Sequence, residues 1–295
     1  MENSSDPTGP DDSHLGSDTA PTITDGVCPS CGSTDFTSFE VPERGITVNV
    51  CTKCNLHINS TAAPVEQQTA EQIYEDDFHT GYEEHAIRKL ESNSFRLRLI
   101  EAIRQPGTFL DIGCSVGSFL QAAADRGWDA QGVDVSQYAV DVCLEQGLKA
   151  KIGDMQHLDF PDQTFDVINL RHVLEHDWDL YACLAEIRRV LKPGGLLILE
   201  VPHVDFSRIR THPEKYVKFW HVCHCYWFSD KSVRNIMPRC GFEEVRMPCY
   251  GKLALSNGAV SSLRFLAWRT VVLLKWLFGR NNYHVSVWQR VPAVA

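Results

Sequence analysis

Between residues 108 and 201, short apolar runs alternate with amphipathic stretches, and no other feature restricts the fold as tightly. Thr108–Ile112, Ala130–Val135, Ala150–Ile152, Phe165–Leu170 and Leu196–Val201 read as strands. Ser118–Arg126, Gln137–Gln146 and Leu180–Leu191 carry apolar residues at helical intervals. Gly127 closes the first helix, Ser136 and Gly147 bracket the second, and Pro193-Gly194-Gly195 stops the third. Strands joined through helices run parallel, because the crossover returns each strand to the edge where the last one began. Leu196–Val201 is apolar except for Glu200, as expected of a strand with helices on both faces. Gly241–Met247 and His284–Val291 read as two late strands that complete the sheet. The expected fold class is α/β, a doubly wound, mostly parallel seven-stranded sheet with a small N-terminal module.

That module rests on cysteine spacing. Cys28-Pro29-Ser30-Cys31 and Cys51-Thr52-Lys53-Cys54 are C-x-x-C pairs separated by 19 residues. Each pair sets two thiolates on one side of a tight turn, and two such turns complete a closed tetrahedral zinc site. Such a site has no open position, so the zinc expected on Cys28, Cys31, Cys51 and Cys54 is structural. His57 is a spare ligand. The 27–60 stretch otherwise reads as turn-rich and strand-poor. Residues 1–26 form an acidic tail too poor in apolar groups to order itself. Residues 61–104 read as a mostly helical cap or linker, leaving 105–295 as the main domain with an apolar helix insertion at 262–280.

The first strand-to-helix turn carries Leu110-Asp111-Ile112-Gly113-Cys114-Ser115-Val116-Gly117. A doubly wound sheet opens its ligand crevice there, and glycines let backbone approach a ligand closely. A dinucleotide site calls for G-x-G-x-x-G to cradle a pyrophosphate. This chain lacks that pattern and places Asp111 before the first glycine, which suits a ligand with an ammonium and no phosphate. Asp134 ends the second strand, where a carboxylate can accept hydrogen bonds from ribose hydroxyls. Asp154 follows the third strand and can accept from an adenine amino group, with Met155 against the ring. Together these positions describe an adenosine with a cationic amino-acid tail.

The segments LDIGCSVGSFL, GVDVS, GDMQHLDF, FDVINLRHVLEH and LKPGGLLILEVP resemble the ordered motifs of class I S-adenosylmethionine-dependent methyltransferases. The resemblance spans roughly residues 74–245 and is nearest to the small-molecule branch holding the ubiquinone-pathway O-methyltransferases. It implies a Rossmann-like domain with S-adenosylmethionine as cofactor. Asp111, Gly113 and Gly117 would frame the methionine part, Asp134 the ribose, and Asp154 with Met155 the adenine. Arg171 would line the methyl-transfer centre. The implied reaction is in-line attack by a substrate nucleophile on the sulfonium methyl, in which positioning and desolvation matter most.

Several histidines sit near that centre. His172-Val173-Leu174-Glu175-His176 matches the H-x-x-E-H pattern of inverted zinc proteases. It falls at the end of a parallel strand, where the resembling family shows an L-E-H run, so the protease reading is rejected. The ubiquinone-pathway relatives carry Glu at the position of His172, and that departure counts against metal-assisted catalysis. His221-Val222-Cys223-His224-Cys225 is spaced too tightly for four ligands to converge on one ion. In the resembling family a His four residues before Phe-Ser/Thr (His224, Phe228 and Ser229 here) opens the last helix on the substrate side. An unperturbed imidazole suits proton removal near neutral pH. His224 is therefore the first candidate for general base, with His172 and His176 behind it.

Of a formal net charge of −10, six charges fall within residues 1–26, leaving about −4 on the rest. That balance disfavours a broad nucleic-acid surface. Eleven cysteines without a signal-peptide pattern favour reduced thiols and a cytoplasmic setting. The expected partner is a small molecule: a sugar, a phenol or a lipid-linked compound, methylated on oxygen. Leu263–Phe278 is sixteen residues long and interrupted by Arg264, Arg269 and Lys275, too short and too charged for a membrane span. It would pack on the domain or in a homodimer, or make peripheral membrane contact through Trp268 and Trp276. Two alternatives stand beside this reading. One is an RNA methyltransferase with a zinc recognition module; the other is a non-enzymatic cofactor-binding or partner-recruiting module.

Overall fold

A computed structural model of the chain describes residues 26–61, 93–94, 96–205, 209, 216–245 and 283–292. The acidic tail, most of the helical stretch before residue 96, and Leu263–Phe278 lie outside the described residues. The main sheet has seven strands in the order β10-β11-β8-β7-β4-β5-β6. They are β4 (Thr108–Ile112), β5 (Asp129–Asp134), β6 (Ala150–Ile152), β7 (Phe165–Arg171), β8 (Leu191–Pro202), β10 (Phe242–Glu244) and β11 (Tyr283–Arg290). β4 to β8 pair in parallel, while β11 runs antiparallel to β8 and β10 antiparallel to β11. The chain winds outward from β4 through β5 to β6, then returns to β7 on β4's other side. The β4/β7 boundary is thus the switch point where such sheets bind ligands beyond their strand ends.

The covering helices follow from spacing and caps. Helix α1 spans Ser118–Ala124, α2 Gln137–Glu145, α3 Leu180–Val190 and α4 Asp230–Arg239. In α3, Leu180, Cys183, Leu184, Ile187 and Val190 recur every three or four residues, and all are buried. Asp179 caps α3 by accepting from the Ala182 N–H at 2.9 Å, and Ser136 caps α2 through the Ala139 N–H at 3.3 Å. Ser229 and Ser232 form a reciprocal capping box, 2.9 Å each way, that starts α4. α3 ends at Val190, and β8 starts at Leu191, five residues before the expected strand. Its first residues pair with β7 at Phe165↔Leu191 across an irregularity, which absorbs Pro193-Gly194-Gly195.

The cysteine segment corrects the strand-poor expectation. β1 (Phe36–Val41), β2 (Ile46–Cys51) and β3 (His57–Asn59) are antiparallel, and β9 (Tyr226–Trp227) adds a fourth strand from the far end of the chain. Ile46 and Val48 alternate inward along β2, the period-two pattern that makes a strand. The small sheet is tied to the main domain. Tyr181 Oη donates to the Pro29 carbonyl at 2.8 Å, Ser229 Oγ to the Cys54 carbonyl at 2.5 Å, and Ser30 Oγ to the Ser232 carbonyl at 3.2 Å. Cys28, Cys51, Cys54, Leu56 and Ile58 belong to the same apolar cluster as Leu110, Leu184 and Tyr226. Trp220 and Trp227, both fully buried, pack edge-to-face at 4.9 Å beneath β2.

Candidate active site

Three strand ends and two loops define the crevice. At the β4 end, Asp111 is buried and accepts from Asn169 Nδ2 at 2.6 Å. Burial raises its carboxyl to about 7, offset in part by that hydrogen bond and the charge of Arg171. A carboxyl so placed gains most from an incoming cation. Gly113, with φ +70°, has no room for a side chain: a Cβ there would stand 2.3 Å from Val173 Cγ2. Gly117, with φ +84°, is the residue before α1, and a Cβ would meet Leu148 at 2.6 Å. Backbone therefore lines this turn.

Asp134 ends β5 and folds back onto the same turn. Its Oδ2 accepts from the Ser115 N–H at 2.8 Å and its Oδ1 from the Ser136 N–H at 3.0 Å. Burial raises its pKa, and those backbone donors oppose the rise. A carboxylate carries about four acceptor sites, which leaves room for a ligand's hydroxyl. Asp154 lies after β6, half-exposed, and its Oδ1 accepts from the N–H groups of Gln156 and His157 at 2.8 Å each. Met155 beside it is buried in the core.

Glu200 gathers the far wall. It is buried on β8, with Arg96 at 2.9 Å, His172 Nε2 at 3.3 Å and Arg171 at 3.6 Å. Burial alone would raise its pKa, but the His172 hydrogen bond and the charges of Arg96 and Arg171 hold it at about 2. A lone acid in an apolar strand was the sequence signal for this hub, and the wide parallel-sheet explanation concealed it. Arg171 also donates to Asn93 Oδ1 at 3.2 Å. Arg96, Asn169 and Glu200 line a cavity together with Leu99, Ile198 and Val285. Nothing in the sequence alone marked Asn93, Arg96 or Asn169.

The histidines separate by charge. His172 has a φ of +56°, a left-handed conformation that costs a non-glycine residue about 1 kcal/mol or more. The turn places its ring between Glu175 Oε1, at 3.4 Å, and Glu200 Oε1. Burial lowers its pKa, but hydrogen bonds with Glu175 and Glu200 prevail and raise it to about 9. His172 is therefore cationic at neutral pH. Glu175 is fully buried, and His172 stands against its Oε1 as an ion-pair partner. His224 differs from the ordinary imidazole expected: burial, with the charges of His176 and His221, pushes it down to about 2. Its ring stands edge-on to His176 at 4.7 Å, and its Nδ1 is buried without a partner. The tight spacing of 221–225 does exclude four ligands from that run, but Cys223 and His224 join His176 from another loop. The three ligand atoms lie within 4.8 Å of one another.

This loop is held by the cysteine module. β3 pairs with β9 at His57↔Trp227, and Asn59 Nδ2 donates to the carbonyls of Val222, at 3.3 Å, and His224, at 3.1 Å. His57 stacks on Trp220 at 5.8 Å and is lowered to about 4 by burial, so it is neutral and packed. The four thiols face one another: Cys28 and Cys54 Sγ are 3.5 Å apart, as are Cys31 and Cys51 Sγ. Tetrahedral zinc–thiolate bonds of about 2.3 Å set sulfurs roughly 3.8 Å apart, whereas a disulfide needs about 2.05 Å. The cluster fits a metal ion and not a disulfide. A hydrogen bond with Cys28 pulls the Cys54 thiol below its ordinary value.

The methyltransferase domain family matches residues 82–246, more than half of the chain. The chain belongs to that family, whose members transfer a methyl group from S-adenosylmethionine. An uncharacterized methyltransferase of Schizosaccharomyces pombe is 30% identical over 149 residues, covering 45% of this chain and 52% of that one. The ubiquinone biosynthesis O-methyltransferase of Acinetobacter baylyi is 24% identical over 116 residues, covering 37% and 46%. The chain thus spans about half the length of these relatives. A chain from the solved complex between the Trm112 methyltransferase activator and a methyltransferase of Haloferax volcanii shares the fold. Its TM-score is 0.51 at 18% identity, over 71% of this chain and 95% of that one.

Proposed function

We propose that this chain is an S-adenosylmethionine-dependent methyltransferase that methylates an oxygen of a small molecule, with a structural zinc in its four-cysteine cluster. The observation that carries the reading is the switch-point turn. Asp111 and Asp134 end adjacent strands, and the side-chain-free backbone at Gly113 and Gly117 lies between them. The cofactor would supply an activated methyl on a cationic sulfur. Asp111 would face its ammonium, Asp134 its ribose, and Asp154 with Met155 its adenine. Arg171, held by Glu200 and Asn93, would wall the transfer centre.

His172 is charged and engaged with two acids, which removes it as a base and makes it a positioning residue. Burial of His224 counts against it as the base and leaves His176, whose ring stands edge-on to it, as the imidazole of this pair to accept a proton from a hydroxyl nucleophile. The zinc module would hold that loop through β3 and Asn59. The oxygen-methylating relative supports the substrate class at low identity. Boundaries of 27–60 for the module and 105–295 for the domain remain useful working divisions of a chain whose two sheets share a core.

The test is incubation of the purified protein with methyl-labelled S-adenosylmethionine and fractionated cell extract, beside Asp134→Ala. Label in a small molecule with the wild type alone supports the proposal. Label in RNA would replace it with the RNA-methylating reading, and cofactor binding without transfer to any fraction would favour a non-enzymatic module. Contact with a membrane or a second copy through Leu263–Phe278 rests on residues outside those described. Among the described residues no helix is long and apolar enough to cross a membrane.

A further inference from the structure

A second group of metal-ligand types lies where β8, α4 and β11 meet, apart from the four thiols and from the histidines of the crevice. His203 follows the last residue of β8, Asp205 stands two residues on, Asp230 is the first residue of α4, and His284 lies opposite Val201 on β11. His203 Nε2, Asp230 Oδ1 and His284 Nδ1 all fall within 4.8 Å of one another. Two imidazole nitrogens converge on one carboxylate oxygen: His284 Nδ1 at 2.7 Å and His203 Nε2 at 3.1 Å from Asp230 Oδ1. Asp205 Oδ2 is 3.4 Å from the same His203 nitrogen.

The four side chains form an ion-pair cluster as they stand, and the same two imidazoles and Asp230 oxygen converge closely enough to hold a metal ion. His203 Nε2 is closed to solvent and makes a hydrogen bond in good geometry with neither carboxylate beside it. A nitrogen enclosed among carboxylate oxygens is where a metal ion can take the place of a proton. Bonds of about 2.0–2.2 Å to a tetrahedral zinc place neighbouring nitrogen and oxygen ligands roughly 3.3 Å apart, close to the separations seen.

The surroundings are those of a held ligand set. His284 Nε2 lies 2.9 Å from Ser286 Oγ, which also accepts from Trp288 Nε1 at 2.7 Å. The serine hydroxyl can donate to that imidazole nitrogen or accept from it, so it serves His284 with or without metal on Nδ1. Asp205 Oδ1 accepts from Asn55 Nδ2 at 3.0 Å, and its Oδ2 from the Asp230 N–H at 2.8 Å. Such outer partners fix ligand orientation in metal sites. The face of Asp230, about half-exposed, gives an ion a way in, while His284 is buried.

We propose that His203, Asp230 and His284 form a second divalent transition-metal site that takes zinc, with Asp205 as an outer carboxylate beside His203. Two imidazoles and one carboxylate, with a position left for water, suit zinc or its neighbours and are a poor match for calcium or magnesium. The ion would clamp the start of β11 to the end of β8 and the head of α4. Through Asn55, which follows Cys54, it would also join the thiol module to that clamp. The proposal is independent of the methyltransferase reading.

The experiment is zinc titration of the full chain against a competing chromophoric chelator, with metal content measured in parallel on the wild type, Asp230→Asn and Cys28→Ser. The wild type should bind two zinc ions per chain and Asp230→Asn one, with the lost site weakened by roughly 100-fold or more. Cys28→Ser should keep the second site. Cobalt in that site should give absorption without the thiolate charge-transfer bands of the cysteine cluster. If Asp230→Asn fails to fold by circular dichroism, Ser286→Ala replaces it, with an expected loss of about 10- to 100-fold. A wild type with only the thiol-bound zinc, or a second site of unchanged affinity in these variants, would overturn the proposal.

Discussion

Replacing Glu200 with Gln keeps its volume and removes the charge that Arg96, Arg171 and His172 share. Glu200 is held at about 2 against an ordinary value of 4.5. At about 1.36 kcal/mol per unit, the charged form contributes on the order of 3 kcal/mol. The elevation of His172 to about 9 includes the other side of the same contact, so it is not added. Glu200→Gln should therefore lower unfolding free energy at pH 7 by about 2–4 kcal/mol, and the midpoint of thermal unfolding by roughly 5–10 °C. The pH dependence has a definite sign. A depressed carboxyl stabilises above its unfolded value and loses that contribution as pH falls through about 4.5 towards 2. The gap between wild type and variant should thus be full from pH 5 to 8 and close progressively below pH 4.5. It should narrow again above pH 9, where His172 loses its proton while the two arginines remain. Urea unfolding followed by tryptophan fluorescence across that range measures it. A gap below about 0.5 kcal/mol at pH 7, or one unchanged between pH 3 and 6, refutes the electrostatic role of this hub.

Asp134→Ala should weaken S-adenosylmethionine binding by at least about tenfold, the loss of one charge-assisted acceptor, as read by calorimetry. Gly113→Ala should abolish cofactor binding, since its Cβ would strike Val173 and its φ is left-handed; retained affinity would contradict the close approach. Because burial holds Asp111 at about 7, a cationic ligand beside it should release a fraction of a proton at pH 7 and none above about pH 9. The binding enthalpy will then vary with the buffer's ionisation enthalpy at pH 7 only. Cys28→Ser should release the thiol-bound zinc, and turnover should fall with it because β3 carries the His224 loop; elemental analysis and the labelled-methyl assay read the two effects.

The main sheet was legible because its signals are local. Ser136 and Asp179 stand as caps where sequence places them or one residue away, and Leu180–Val190 shows its buried stripe in the spacing of its apolar residues. The small sheet was not, because its last strand is two residues long and pairs with β3 across some 170 positions of sequence. Register of that kind is fixed by tertiary packing on Trp220 and Trp227, not by any local pattern. The crevice was half legible. Asp111, Gly113 and Gly117 could be named from one short motif, and Asp134 from the end of the adjacent strand. Glu200 was visible only as an exception in an apolar run, and its partners Arg96, Arg171 and His172 come from other elements. His224 was legible by position but not by character, since its charge state depends on burial and on His176 from a distant loop.

Titration calorimetry of the full-length protein with S-adenosylmethionine tests the cofactor assignment most directly. One molecule should bind per chain at micromolar strength, about −8 kcal/mol, and S-adenosylhomocysteine should displace it. No binding at millimolar cofactor by a folded, zinc-loaded chain would contradict the assignment of the Asp111–Asp134 crevice.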